Sequence, residues 1–353
     1  MLVMKMTRAK LNKRRRGVAL IFTLLVLAVL ITLVATLSTA TKIDIVQAEN
    51  VQHDEQNKIL LDSAIRMVKY TLLADMQNSK HDSLHESWCT PVELEFGDSV
   101  ISWSIEDEGG KLNVNLLAFG TERQRKDMED ALARLVGLVA KENNIRLRTS
   151  RAGSPIVILG EETHHVAVQG IIDFLSVKAQ EAAAAGAVVI EENKIRVTRP
   201  ILFRVDELIE ADGMTAELLY GKEGKKGLAE YLTVWSDDRV NINTAPKNVL
   251  MALSESMDEK QAKAFEEYRL SADFTDIEED LASIEDLDQG MLNELEKMTS
   301  VRSRFFVAHC SAKTGGLQRN AMIVFRRPDL RKVIAEEAVP TVDVVYYKSQ
   351  SGV

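Results

Sequence analysis

The stretch KRRRGVALIFTLLVLAVLITLVATLSTA, Lys13 to Ala40, decides the fold. A basic cluster meets one glycine, Gly17, and twenty uncharged residues follow from Val18 to Leu37. Coiled into a helix, they span about 30 Å, the thickness of a bilayer's hydrocarbon core. Thr23, Thr32 and Thr36 interrupt the run, and their hydroxyls are expected to bond back to their own helix. A cleaved export signal has a shorter apolar core of about 7–15 residues. The cations precede the span, so the N-terminus stays in the cytoplasm and the body crosses. Three readings are open: an export signal cut near the small residues of Ala35 to Ala40, a permanent anchor, or a removable leader ahead of a retained anchor.

Beyond the span, Thr41 to Gln77 contains no proline and no glycine to break a helix. Leu61, Ile65, Val68, Leu72 and Met76 recur at helical spacing, and Asp62, Arg66, Lys69 and Asp75 are read onto the opposite face. One helix from Val18 to Gln77 would be about 90 Å long. Half would sit in a membrane and half would lie on a globular head.

With 353 residues, 46% apolar and 27% charged, the chain can bury a sizeable core. Its net charge is −9, and the seven cations of residues 1–17 leave −16 for the rest. An acidic body argues against a nucleic-acid face. The segments PVELEFG and SVISWSIEDE alternate apolar and polar around the turn Gly97-Asp98, and SRFFVAHCSA and QRNAMIVFRR form a second pair joined by Lys313-Thr314-Gly315-Gly316. Both pairs predict β-hairpins. The roughly 190 residues between them read as mostly helical, with a short hairpin predicted at AVVIEENKIRV. The expected class is α+β: a long N-terminal helix packed on a small antiparallel sheet, which a large helical insertion interrupts. After Pro328, VDVVYY is strand-like and the last residues are expected to be loose.

The insertion contains an echo. GKLNVNLLA (Gly110–Ala118) and DRVNINTAP (Asp238–Pro246) share the order basic, apolar, Asn, apolar, Asn. Asparagines in this setting serve either a ligand or the entry turn of a helical unit, and turn chemistry is the commoner use. Thr244 is placed as a helix N-cap with Pro246 in the first turn.

Two resemblances follow from these residues. The basic leader ending in Gly17 ahead of an uncut apolar helix resembles the prepilin signal of type IV pilins and pseudopilins. That likeness implies cleavage between Gly17 and Val18 by a prepilin peptidase, then N-methylation of Val18. More broadly, IEDEGGKLNVN, GIIDFLS, VDELIEADGMT, LAEYLTVWSDDRVNINTAPKNVLMAL and SRFFVAHCSA…AMIVFRR together resemble the type II secretion system protein K (GspK) family of minor pseudopilins, across residues 13–327. The resemblance implies a pseudopilin head whose sheet is interrupted by an α-domain of two SAM-like or helix-hairpin-helix-like units. The implied divisions are leader 1–17, transmembrane helix 18–40, periplasmic half-helix 41–77, first half-sheet 88–110, α-domain 111–300 (about 111–200 and 201–300), second half-sheet 301–327 and tail 328–353. It further implies a single-pass inner-membrane protein with a periplasmic body that caps a pseudopilus tip and primes its assembly for protein export. Its partners would be other minor pseudopilins, the major pseudopilin, the prepilin peptidase and the inner-membrane assembly platform. Pilins carry a glutamate at mature position five, and Phe22 stands there instead, as expected of a subunit with no neighbour ahead of it.

Other functions are weighed against this one. A minor pilin of a type IV pilus-like machine differs only in the machine served. INTAPKNVLMALSESMDEKQAKAFEEYR also resembles the helix-hairpin-helix of DNA receptors, but its connection is acidic and without glycine, which repels phosphate. His81, His85 and Cys89 have zinc-like spacing without an evident fourth ligand. The adjacent His164 and His165 receive no role. The family likeness leaves calcium possible, with Asp206, Glu207, Asp237 and Asp238 conceivable but unassigned ligands. Cys89 and Cys310 flank head strands and are a possible disulfide, which requires Cα atoms within roughly 7 Å. No catalytic constellation is evident, so an enzyme is not expected.

Overall fold

The structure, a computed structural model, describes residues 3–145, 162–185, 188–191, 194–197, 200–284, 286–329, 333 and 339–352. Helix α1 runs unbroken over Val3–Asn78. Thr23, Thr32 and Thr36 donate to the carbonyls of Leu20, Val29 and Leu33, each at 2.8 Å, as their setting predicts.

After a 3-10 turn at Ser87–Cys89 come β1 (Val92–Phe96) and β2 (Ser99–Asp107), then β3 (Leu112–Asn113), α2 (Leu116–Phe119) and α3 (Glu122–Glu142). Next are α4 (Glu162–Ala184), β4 (Val188–Glu191), β5 (Lys194–Val197), α5 (Ala216–Tyr220), β6 (Leu232–Thr233) and β7 (Val240–Asn241). Helices α6 (Lys247–Leu253), α7 (Glu259–Ser271), α8 (Ile277–Leu281) and α9 (Gln289–Met298) lead to β8 (Thr299–Ser300). The chain then closes with β9 (Phe305–Thr314), β10 (Leu317–Arg326) and β11 (Asp343–Gly352).

Among the described residues, five strands form an antiparallel sheet in the order β1-β2-β9-β10-β11. Both predicted hairpins are present, and Gly97, Gly315 and Gly316 take the left-handed φ values their turns require, +60°, +55° and +89°. Everything from β3 to β8 is inserted between β2 and β9, which pair directly, Ile105 opposite Ala308. The short hairpin also forms, as β4 against β5.

One face of the sheet carries α1. Leu61, Ala64, Val68 and Leu72 pack with Ile101, Trp103, Ile105, Phe306, Ala308, Ile323 and Phe325 around the buried Trp88. Each fully buried Leu or Val there contributes roughly 1.5–3 kcal/mol. The other face turns Val307 and Val324 into the core of the insertion.

Three expectations are corrected. Asp75 leaves the water face: its side chain is 7% exposed against Arg327, because it lies seven residues, two helical turns, beyond the buried Val68. The C-terminal residues form a strand through Gly352, opposite Gln318, which covers the edge that β10 would otherwise expose. Thr244 does not cap α6: Pro246 occupies the N-cap position, and the Thr244 hydroxyl donates to the Asp107 carboxylate at 2.5 Å.

Candidate functional site: the apolar helix and its two anchor points

From Val18 to Leu37 the side chains of α1 are exposed, and its most apolar window is 0% buried within the chain. Phe22 is 66% exposed. Apolar exposure extends through Ile43, Ile45, Val46 and Val51 and returns at Ile59, Met67 and Tyr70 on the part that lies on the head. A continuous apolar surface of this extent is covered by lipid or by other protein. Val18 is the first residue of α1 whose exposure is described, and the side chains of His164 and His165 lie outside the described ones.

Where α1 meets the head, a polar collar fixes it. Arg319 reaches Asp54 at 2.7 and 2.9 Å, Gln56 donates to the Ser99 hydroxyl at 2.9 Å, and Asn57 donates to the Leu317 carbonyl at 3.1 Å. The Arg319 hydrogen bond holds the Asp54 carboxyl below the usual range. These residues reach both hairpin turns, so the helix leaves the head at a fixed place.

The far end of α1 is tied more deeply. Arg327, 3% exposed, pairs with Asp75 at 2.6 Å and with Asp82, and its guanidinium lies 4.3 Å from the centre of the Phe306 ring. Burial pushes the Asp75 carboxyl up to about 6, against the pull of Arg327. Arg302 donates to the carbonyls of Ser79 and Lys80, satisfying groups that the end of α1 leaves open. Asp107 is buried and accepts from Gly109 N–H (2.7 Å), Asn241 Nδ2 (3.0 Å), Ser303 Oγ (2.7 Å) and Thr244 Oγ1. All four donors are neutral, and burial raises its carboxyl to about 6.

The asparagine echo proves to be structural. In each copy the first Asn accepts the backbone N–H of the second: Asn115 to Asn113 at 3.1 Å and Asn243 to Asn241 at 3.0 Å. The second Asn then clamps both backbone groups of one distant residue. Asn115 holds Leu202 and Asn243 holds Phe274, with N–H and C=O bonds of 2.8–3.2 Å. Each first Asn ends a two-residue parallel pair, β3 with β6 and β7 with β8.

The remaining candidates separate. Cys89 and Cys310 are free thiols, so the disulfide is not formed. Burial pushes the Cys310 thiol up to about 12, which makes it inert at neutral pH. His81 and His85 converge on Asp273 rather than on Cys89. The four conceivable calcium ligands are otherwise engaged: Asp206 by Arg204, Glu207 by the N–H groups of Phe203 and Arg204, Asp237 by Arg304, and Asp238 by Gln124. They do not form a ready cage among the described residues. Sequence reasoning missed Arg327, Asp107 and Asp82, since nothing local marks a charge for burial.

Comparison with known proteins gives likenesses of three kinds. Residues 240–293 match the family described as type II secretion system (T2SS), protein K. The chain is 26% identical over 110 residues to the putative type II secretion system protein K of Escherichia coli strain K12, a match spanning 31% of this chain and about a third, 34%, of that relative. In three dimensions it superimposes with a TM-score of 0.61 and 16% identity on a chain of the GspK-GspI-GspJ complex from the enterotoxigenic Escherichia coli type 2 secretion system. That likeness covers 87% of this chain and 99% of the other. The second asparagine unit is thus similar in sequence to the type II secretion system protein K family, and most of the chain shares the fold of a chain of the GspK-GspI-GspJ complex.

Proposed function

We propose that the protein is a minor pseudopilin that caps the tip of a type II secretion pseudopilus and primes its assembly for export of folded proteins. The observation that carries this reading is the single unbroken helix, apolar and uncovered from Val18 to Leu37, which continues into the packing face of the head. Such a helix anchors the subunit in the inner membrane before assembly and presents a lateral surface to other helices afterwards. The head then faces the periplasm, in keeping with the cations ahead of the span. The structural relative comes from a complex with two other proteins of its system, which supports heteromeric assembly with other minor pseudopilins. The work is mechanical, and the chain performs no chemistry in this reading.

A prepilin peptidase would cut between Gly17 and Val18, removing all seven leader cations while leaving the anchor whole. N-terminal mass spectrometry of the membrane-extracted protein is expected to find N-methyl-Val18. An intact Met1, or a terminus near Ala40, would overturn the proposal. Phe22→Glu tests the cap. It buries a carboxylate at the place where a tip subunit has no neighbour to neutralise it, and lower pseudopilus yield with normal head folding is the expected result.

A further inference from the structure

We infer that the outer edge of β1 is a docking site for an extended segment of another protein in which basic and apolar residues alternate, paired to the sheet as an added strand. β1 stands last in the sheet order, so one side of its backbone has no strand beside it among the described residues. Phe96 and Ser99 close the two-residue turn of the β1–β2 hairpin, and the closing pair of such a turn is hydrogen-bonded. Bonded and non-bonded pairs alternate along an antiparallel ladder. Leu94 and Val92 therefore also bond to β2, and the N–H and C=O groups of Glu93 and Glu95 point away from the sheet. Outward groups of this kind are the template that an edge strand offers to another chain. Glu93, Leu94, Glu95 and Phe96 are all exposed, so nothing described in the chain covers it.

The side chains of β1 define what pairs there. Glu93 and Glu95 share one face, and neither meets a cation among the described residues. Val92, Leu94 and Phe96 share the other face, opposite Trp103, Ile101 and Ser99, on the side of the sheet that carries α1. The cover given by α1 stops short of the edge. Val92 packs at the margin of that core, while Leu94 is 37% and Phe96 57% exposed. Above this ledge, the flank of α1 runs from Gln56, which bonds Ser99, through Leu60 to Met67 at helical spacing. Met67 is 49% exposed. A strand added about 4.8 Å away sets its side chains directly beside those of β1. Basic residues then meet Glu93 and Glu95, and apolar residues meet Leu94 and Phe96. Charges on an edge strand repel unwanted strands, and here the two glutamates turn away acidic segments and select a basic one. The sheet's other edge, β11, offers a single carboxylate, Asp343, with which Arg326 already pairs. The inference rests on the free edge and stands apart from the chain's place in a filament.

The test uses the full chain in a neutral detergent and a fluorescent ten-residue peptide of alternating lysine and valine. Micromolar binding is expected, and it should slow hydrogen exchange at the Glu93 and Glu95 amides. The same peptide N-methylated on every backbone nitrogen keeps its charges and loses its donors, and it is expected to bind more than about tenfold more weakly. Glu93→Lys combined with Glu95→Lys is expected to weaken binding by more than about tenfold. Both side chains are exposed, so this variant does not threaten the core, and circular dichroism establishes its folding. Glu95→Pro removes one outward N–H while sparing the bonds to β2, and it should weaken binding as well. Four results would overturn the assignment: no binding to the folded wild type, equal binding of the N-methylated peptide, undiminished binding to the double lysine variant, or slow exchange at Glu93 and Glu95 before any peptide is added, which would give the edge to a second copy of this chain.

Discussion

The two asparagine units share a backbone device but differ in their surroundings. The unit of Asn113 and Asn115 stays within the insertion, holding Ser236, Val234 and Leu202. Its nearby buried carboxylate, Glu108, has a cation, Lys111, at 2.6 Å. The unit of Asn241 and Asn243 reaches outside. Asn241 shares its amide hydrogens among Asp82 O, Asp107 Oδ2 and Ser303 Oγ, which belong to the loop after α1, the end of β2 and the approach to β9. Its carboxylate, Asp107, has only neutral donors. One copy closes a subdomain; the other fastens that subdomain to the stalk and the sheet. The second copy is also the one that carries the family match.

If that contrast holds, replacing the stalk-side cation has the largest effect. Arg327→Met leaves Asp75 and Asp82 buried without their partner and is expected to cost about 3–5 kcal/mol in denaturant unfolding of the detergent-solubilised chain. Asn241→Ala should cost about 2–4 kcal/mol, since it leaves several buried groups unpaired at once. Asn113→Ala, with fewer partners, should cost about 1–2 kcal/mol. Equal losses in the two units would break the comparison.

The charge difference predicts a pH signature. The Asp107 carboxyl is raised from 3.8 to about 6, so the folded state holds its proton more tightly than the unfolded chain does. This contribution favours folding as pH falls from 6 toward 4 and is lost as pH rises through 6, up to about 3 kcal/mol. Unfolding free energies of wild type and Asp107→Asn, compared between pH 7 and 5, should therefore diverge with that sign, the wild type gaining on acidification. A parallel pair of curves would remove Asp107 as the source.

The smallest effects sharpen the likeness rather than the difference. Both units open a longer helix with a capping box, Thr121 with Gln124 on α3 and Asp258 with Gln261 on α7. Thr121→Ala and Asp258→Ala should each cost about 1 kcal/mol, measurable as matched shifts of the unfolding midpoint.

Much of this was legible in the chain itself. The span, the continuing helix, the hairpins and their glycines, and the repeated Asn pattern are local signals, written in periodicity, turn residues and spacing over a few positions. Leu61, Val68 and Leu72 announce a buried face by their spacing alone. The anchors were not legible in the same way. Asp75 looked like a solvated residue because its cation, Arg327, is 252 residues away. Thr244 looked like an N-cap because Asp107, its true partner, is 137 residues away. His81 and His85 appeared to point to Cys89, four residues beyond His85, but their carboxylate comes from Asp273 on the insertion.

The sequence by itself determined the long helix, the interrupted sheet and the doubled Asn turn, because hydrophobic period and turn chemistry act between near neighbours. Only the tertiary structure decided which charges are buried, which hydroxyl serves which acceptor, and how the insertion is fastened to the stalk. Those outcomes depend on desolvation and partners brought together by folding, and neither exists until distant segments meet.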